Sequence, residues 1–156
     1  MVKTINLKKL IPCLLLPIFT GLLAQVFSSN AKEIYNPLLK PPFSPPSIVF
    51  PFVWTALYIL IGLSSYFFEE SGCKDKKRPR QVYAITLSLN LLWPLLFFVL
   101  KLFTFSSIWI VVLLAVSIYN FYLYYRCDKY AGYLFAPFVL WVAYATYLNI
   151  GVAYLN

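Results

Sequence analysis

The chain has 156 residues, 62% of them hydrophobic and 12% charged, with a mean hydropathy of +0.76. A water-soluble domain of this length cannot hide so much apolar surface, so that class is excluded. The formal charge of +8 resides in the segments between apolar runs; the basic stretch 74–80 is short and has no stacking aromatics, so no nucleic-acid partner is expected.

Charge spacing divides the chain. No charged residue falls between Lys9 and Lys32, Pro46 and Phe68, Gln81 and Leu100, Leu102 and Tyr125, or Tyr130 and Leu155. Each gap has roughly the 20 residues an α-helix needs to cross the hydrocarbon core. The expectation is an all-α integral membrane protein with five transmembrane helices, at about 8–28, 46–68, 81–100, 104–126 and 130–154, in a single domain covering 1–156.

Span one contains Pro12, Pro17 and Gly21, which neighbouring helices make tolerable in a membrane. Lys8-Lys9 followed by "LIPCLLLPIFTGLLA" has the form of a cleavable signal, but the run continues through Val26 and Phe27, past the usual h-region, and is read as a span. Loop one, about 29–45, carries Tyr35 and four prolines, Pro41, Pro42, Pro45 and Pro46. It is too long for a tight connection and is expected to cap a ligand cavity. Pro41 and Pro42 stiffen it, and Pro45 and Pro46 are expected to open span two, where a missing N–H costs nothing. Loop two, "EESGCKDKKRPR", reads as a solvated charged turn. Loop three around Lys101 is very short, so spans three and four are antiparallel neighbours. The tyrosines ending span four read as an interfacial belt. No internal repeat and no GxxxG occurs, which argues against inverted transporter halves and a glycine-marked dimer face.

Ten basic residues (Lys3, Lys8, Lys9, Lys74, Lys76, Lys77, Arg78, Arg80, Arg126, Lys129) fall on one side of this topology and three (Lys32, Lys40, Lys101) on the other. The positive-inside rule then places the N-terminus inside, and the C-terminus and loop one outside. Cys13 lies in span one, while Cys73 and Cys127 fall in loops on the reducing side without CxxC spacing; all three are read as free thiols. There is no histidine, and the five acids (Glu33, Glu69, Glu70, Asp75, Asp128) lie outside the apolar runs. Ion-driven transport and intramembrane acid–base catalysis therefore lack an agent, and no metal site is expected. A ligand inside the membrane would be held by shape, stacking and neutral hydrogen bonds.

Aromatic and polar residues align on three spans. Phe50, Trp54 and Tyr58 are spaced by four; Asn90, Trp93, Pro94 and Phe97 share a face; Pro137, Trp141, Ala145 and Leu148 or Asn149 share another. Tryptophan placed below the interface, with Asn90 beside it and prolines above, points to a lined cavity suited to a flat hydrophobic ligand.

At these residues the sequence resembles the translocator-protein (TspO/MBR, peripheral benzodiazepine receptor) family. Tyr35, Leu38, Lys40-Pro41, Pro45-Pro46, Phe50, Trp54 and Tyr58 carry the resemblance, followed by Asn90, Trp93 and Phe97-Phe98, then Pro137, Trp141, Ala145 and Leu148-Asn149. It covers nearly the whole chain after span one. The resemblance implies a five-helix bundle, commonly a homodimer, that binds porphyrins such as protoporphyrin IX with no required cofactor. It also implies Tyr35, Pro45, Phe50, Trp54, Tyr58, Asn90, Trp93, Pro94, Trp141, Ala145 and Leu148 as cavity lining. Light-dependent porphyrin breakdown has been attributed to bacterial members, and for that chemistry the resemblance points to Trp54 and Trp141. Two departures stand out: Phe43 occupies a position often held by Trp in an aromatic lid, and Tyr154 is followed by Leu155 and Asn156 where the sterol-associated segment normally has Arg.

The expected function is a binding protein in a bacterial cell membrane for porphyrin-like or other flat hydrophobic ligands, acting as sensor, regulator or scavenger. Light-dependent porphyrin degradation is one alternative, and passive transport of porphyrin or sterol-like lipids another.

Overall fold

The computed structural model describes residues 5–156, all-helical with no strand among them. Lys3, counted above with the basic side, lies outside the described residues. Six α-helices occur in order: α1 Leu7–Phe27, the short α2 Ala31–Tyr35, α3 Val49–Glu70, α4 Lys77–Pro94, α5 Phe103–Cys127 and α6 Lys129–Leu155. A π-helical turn, Leu95–Val99, extends α4. The five long helical segments run 21 to 27 residues, or about 31 to 40 Å at 1.5 Å per residue. That is enough to cross a bilayer core, and the chain is an integral membrane protein.

The helices close into a ring. α1 packs on α3, α3 on α6, α6 on α5, α5 on α4, and α4 back on α1. As loop three required, α4 and α5 are antiparallel neighbours. The core lies between α3, α4, α5 and α6, where Ile61, Phe68, Ile110, Leu113, Phe135, Phe138 and Val142 are buried. Their outer faces carry exposed apolar residues such as Ile85, Ile108, Val112 and Leu140, as the lipid-facing side of a bundle should. Polar groups fasten the helices where backbones come close: Ser64 Oγ donates to the Ala131 carbonyl at 2.6 Å.

Helix ends follow local chemistry. The Asp128 side chain accepts from the Ala131 N–H at 3.0 Å and caps α6, and Asp75 Oδ1 accepts from the Lys77 N–H at 3.0 Å at the start of α4. Pro94 has no N–H to donate into its helix. The turn widens just after it, with the Leu100 N–H reaching back five residues to the Leu95 carbonyl at 2.9 Å.

Several expectations change in detail. Pro45 and Pro46 precede α3 rather than open it: Val49 N–H bonds the Pro46 carbonyl in a turn, and Pro51 is the proline of the first helical turn. The charged loop two is shorter than its composition suggests, because Glu69 and Glu70 complete α3 while Lys77 to Arg80 begin α4. There Glu69 receives two hydrogen bonds from Arg80, at 2.6 and 2.5 Å, and Glu70 pairs with Lys9 at 2.7 Å. Tyr124 is not part of an interfacial belt: its ring is buried and stacks on Phe68 at 4.5 Å between centroids.

Cys73 and Cys127 are not free thiols but form a disulfide; Cys13 remains free. Both loops sit at the same end of the bundle, so the two cysteines, 54 positions apart, have Cα atoms 5.2 Å from each other. That separation is ordinary for a disulfide. The pairing follows from which loops share an end, which the topology implied and the CxxC criterion cannot detect.

Candidate ligand-binding site

A cavity of about 470 Å³ lies between α1, α3 and α4 beneath α2, within the range typical of small-molecule sites. Its α3 wall is Phe50, Trp54 and Tyr58, the face expected from their spacing of four. Asn90, Trp93 and Pro94 of α4 form the facing wall with Phe98 from the π-helical turn, and Tyr35 of α2 closes the top. The rings meet in two pairs: Tyr35 meets Phe50 edge-on at 5.1 Å, and Trp54 stacks on Tyr58 at 5.9 Å. Seven of the expected residues are thus brought together: Tyr35, Phe50, Trp54, Tyr58, Asn90, Trp93 and Pro94.

The other four are placed elsewhere. Pro45 lies in the loop above, and its carbonyl accepts the Tyr35 hydroxyl at 3.0 Å. Trp141 stands behind the α3 wall, edge-on to Phe50 at 6.1 Å and to Trp54 at 6.5 Å. Those two rings separate it from the cavity. Ala145 and Leu148 are buried in the bundle, each 5% exposed. Behind this wall the buried Nε1 of Trp141 has no hydrogen-bond partner among the described residues.

The missing wall is α1. Ile18, Gly21, Leu22 and Gln25 line the cavity, although nothing in span one repeats the aromatic pattern of the other spans. Gly21 is the informative position: a Cβ there would come within 2.6 Å of the Tyr58 ring. Its lack of a side chain lets α1 lie against the aromatic face.

Most polar groups deep in the cavity are tied to other parts of the protein. Asn90 Nδ2 donates to the Tyr58 hydroxyl at 2.9 Å. Trp93 Nε1 donates to Asn149 Oδ1 at 2.7 Å. Asn149 Nδ2 in turn donates to Ser106 Oγ at 3.0 Å and Ser107 Oγ at 2.9 Å, tying α4, α5 and α6 together. The interior therefore offers a bound molecule mainly shape and aromatic surface, with the Asn90 Oδ1 acceptor and the Tyr58 O–H donor as its few neutral hydrogen-bonding groups.

Loop one is held down by specific bonds. Lys40 Nζ donates to the carbonyls of Tyr35, Asn36 and Leu38 at 2.8 to 3.1 Å and stands 4.9 Å from the centre of the Tyr35 ring. From α6, the Tyr144 hydroxyl donates to the Phe43 carbonyl at 2.6 Å and the Tyr147 hydroxyl to the Pro42 carbonyl at 3.0 Å. Asn156 binds Leu39 twice, accepting from its N–H at 3.0 Å and donating to its carbonyl at 2.8 Å. Burial raises the pKa of the Tyr35 phenol, which keeps it protonated as the donor to Pro45. Phe43 does not act as an aromatic lid: its backbone is left-handed at φ 62° and its side chain is 91% exposed.

Comparison with known proteins agrees with this architecture. The TspO/MBR family profile matches residues 13–155. The chain is 31% identical to the tryptophan-rich protein TspO of Archaeoglobus fulgidus over 153 residues, covering 97% of this chain and 99% of that one. It is 32% identical to a tryptophan-rich sensory protein of Cereibacter sphaeroides, covering 80% and 77%, and 30% identical to the translocator protein of Bos taurus, covering 86% and 82%. A five-helix membrane bundle with an aromatic cavity under its first loop, matched along almost its whole length, identifies the chain as a member of the TspO/MBR family.

Proposed function

We propose that this protein binds flat hydrophobic ligands of the porphyrin type within the membrane, as a sensor, regulator or scavenger of such molecules. The observation that carries the reading is the cavity: about 470 Å³, roofed by α2 and lined by Tyr35, Phe50, Trp54, Tyr58 and Trp93. Aromatic walls favour a planar π-system, and an uncharged, mostly apolar interior favours a ligand with an apolar body. The sensory role named for the Cereibacter sphaeroides relative fits this reading. A homodimer in a bacterial cell membrane, with the N-terminus inside, belongs to the same proposal.

Titrating purified protein with protoporphyrin IX in the dark tests it, because Trp54 and Trp93 lie on the cavity wall. Saturable quenching of tryptophan fluorescence is expected, and quenching that never saturates would mean partition into detergent. Light-dependent porphyrin breakdown is the second reading, favoured by the perpendicular contact of Trp54 with Trp141 at 6.5 Å. It requires dioxygen as oxidant and the excited porphyrin as sensitiser. Soret absorbance under light that falls equally fast with a Trp54→Phe, Trp141→Phe double variant would remove it.

A further inference from the structure

We infer that Lys32, at the mouth of this cavity, is the residue that selects ligands bearing a carboxylate at one edge; the inference rests on the cavity being the ligand site. Lys32 is the one charged residue in the cavity lining. Its ammonium makes no hydrogen bond or ion pair among the described residues. Lys40, the other basic residue of loop one, is by contrast engaged by three carbonyls.

The rest of the lining gives the ligand a direction. Deep in the cavity an amide N–H of Asn90 is taken by Tyr58 and the indole N–H of Trp93 by Asn149, and no charged residue lines that part, so a charged group there would be buried without a counter-charge, at high cost. Polar residues gather at the mouth, where Gln25, Ser29 and Ser47 line the rim beside Lys32. Glu33, next in sequence, is not part of the lining. A planar molecule with an apolar body and a carboxylate at one edge satisfies both ends, its rings against Trp54 and its anion facing the ammonium. A neutral planar molecule would fill the walls equally well and gain nothing at the rim.

The test pairs two probes, protoporphyrin IX with its free propionates and its dimethyl ester, titrated in the dark against wild type, Lys32→Gln and Lys32→Arg in detergent micelles. At low salt the wild type is expected to bind the acid about 3- to 10-fold more tightly than the ester, the scale of a charge-assisted contact near water. Lys32→Gln should abolish that preference, Lys32→Arg should retain it, and the ester should bind all three alike. Added salt should narrow the wild-type preference. Saturable binding of both probes with an acid-to-ester ratio unchanged by Lys32→Gln overturns the inference and leaves the cavity reading standing. Absence of saturable quenching by either probe overturns the cavity reading, and the inference with it.

Discussion

Replacing Asn149 with leucine should loosen the seam between α4, α5 and α6 by a measurable and attributable amount. Asn149 is 2% exposed, and its Oδ1 accepts the Trp93 indole N–H at 2.7 Å. The neighbouring hydroxyls keep other acceptors, since Ser106 and Ser107 also donate to the Phe103 carbonyl at 2.9 Å. The indole N–H is therefore the one group left without a partner. Orphaning a buried donor costs about 1–3 kcal/mol, while interhelical hydrogen bonds in membranes average about 0.6 and reach about 1.7 kcal/mol. A loss of about 1–2 kcal/mol is expected, read by SDS-induced unfolding in mixed micelles followed by circular dichroism. A cycle with Trp93→Phe isolates the pair. The coupling should be about 0.5–1.7 kcal/mol, and additive losses in the double variant would refute the reasoning.

Gly21→Leu should weaken porphyrin binding about ten-fold or more, the scale of overpacking at about 1–3 kcal/mol, because its side chain enters the space beside Tyr58; an unchanged fluorescence titration would take α1 out of the site. Ala145→Phe, by contrast, should act on thermal stability more than on affinity, since Ala145 is packed in the core behind that wall. Asn156→Ala removes two bonds to Leu39, worth about 1–2 kcal/mol together; porphyrin association and dissociation should both accelerate in stopped-flow, and unaltered rates would mean that loop one does not gate the cavity. Cys73 and Cys127 sit at the basic end, which the positive-inside rule assigns to a reducing compartment. Acid-trapped cells should therefore yield alkylatable thiols and air-exposed purified protein the bond; a bond already present in trapped cells would place the basic end on the oxidising side.

The span count and the α3 wall were legible because both are periodic properties of one helix. Charge-free runs give length, and Phe50, Trp54 and Tyr58 recur at four, so a cavity face could be read before any partner was known. What escaped depends on how helices meet. The α1 wall rests on Gly21, a residue whose contribution is an absence and which carries no periodic signal. Trp141 has the sequence credentials of a lining residue, yet Phe50 and Trp54 stand in front of it. The same holds for loop one: its prolines showed stiffness, but the tyrosines of α6 that hold it down lie about 100 residues further along. Gly151 shows how closely they meet, since a Cβ there would run into the Pro41 ring.

A structure of the purified protein determined with protoporphyrin IX bound is the most direct measurement. The macrocycle is expected between α1, α3 and α4, against Trp54 and Trp93 and beneath Tyr35. A porphyrin bound elsewhere, on the outer apolar surface or between copies of the chain with this cavity vacant, would contradict it.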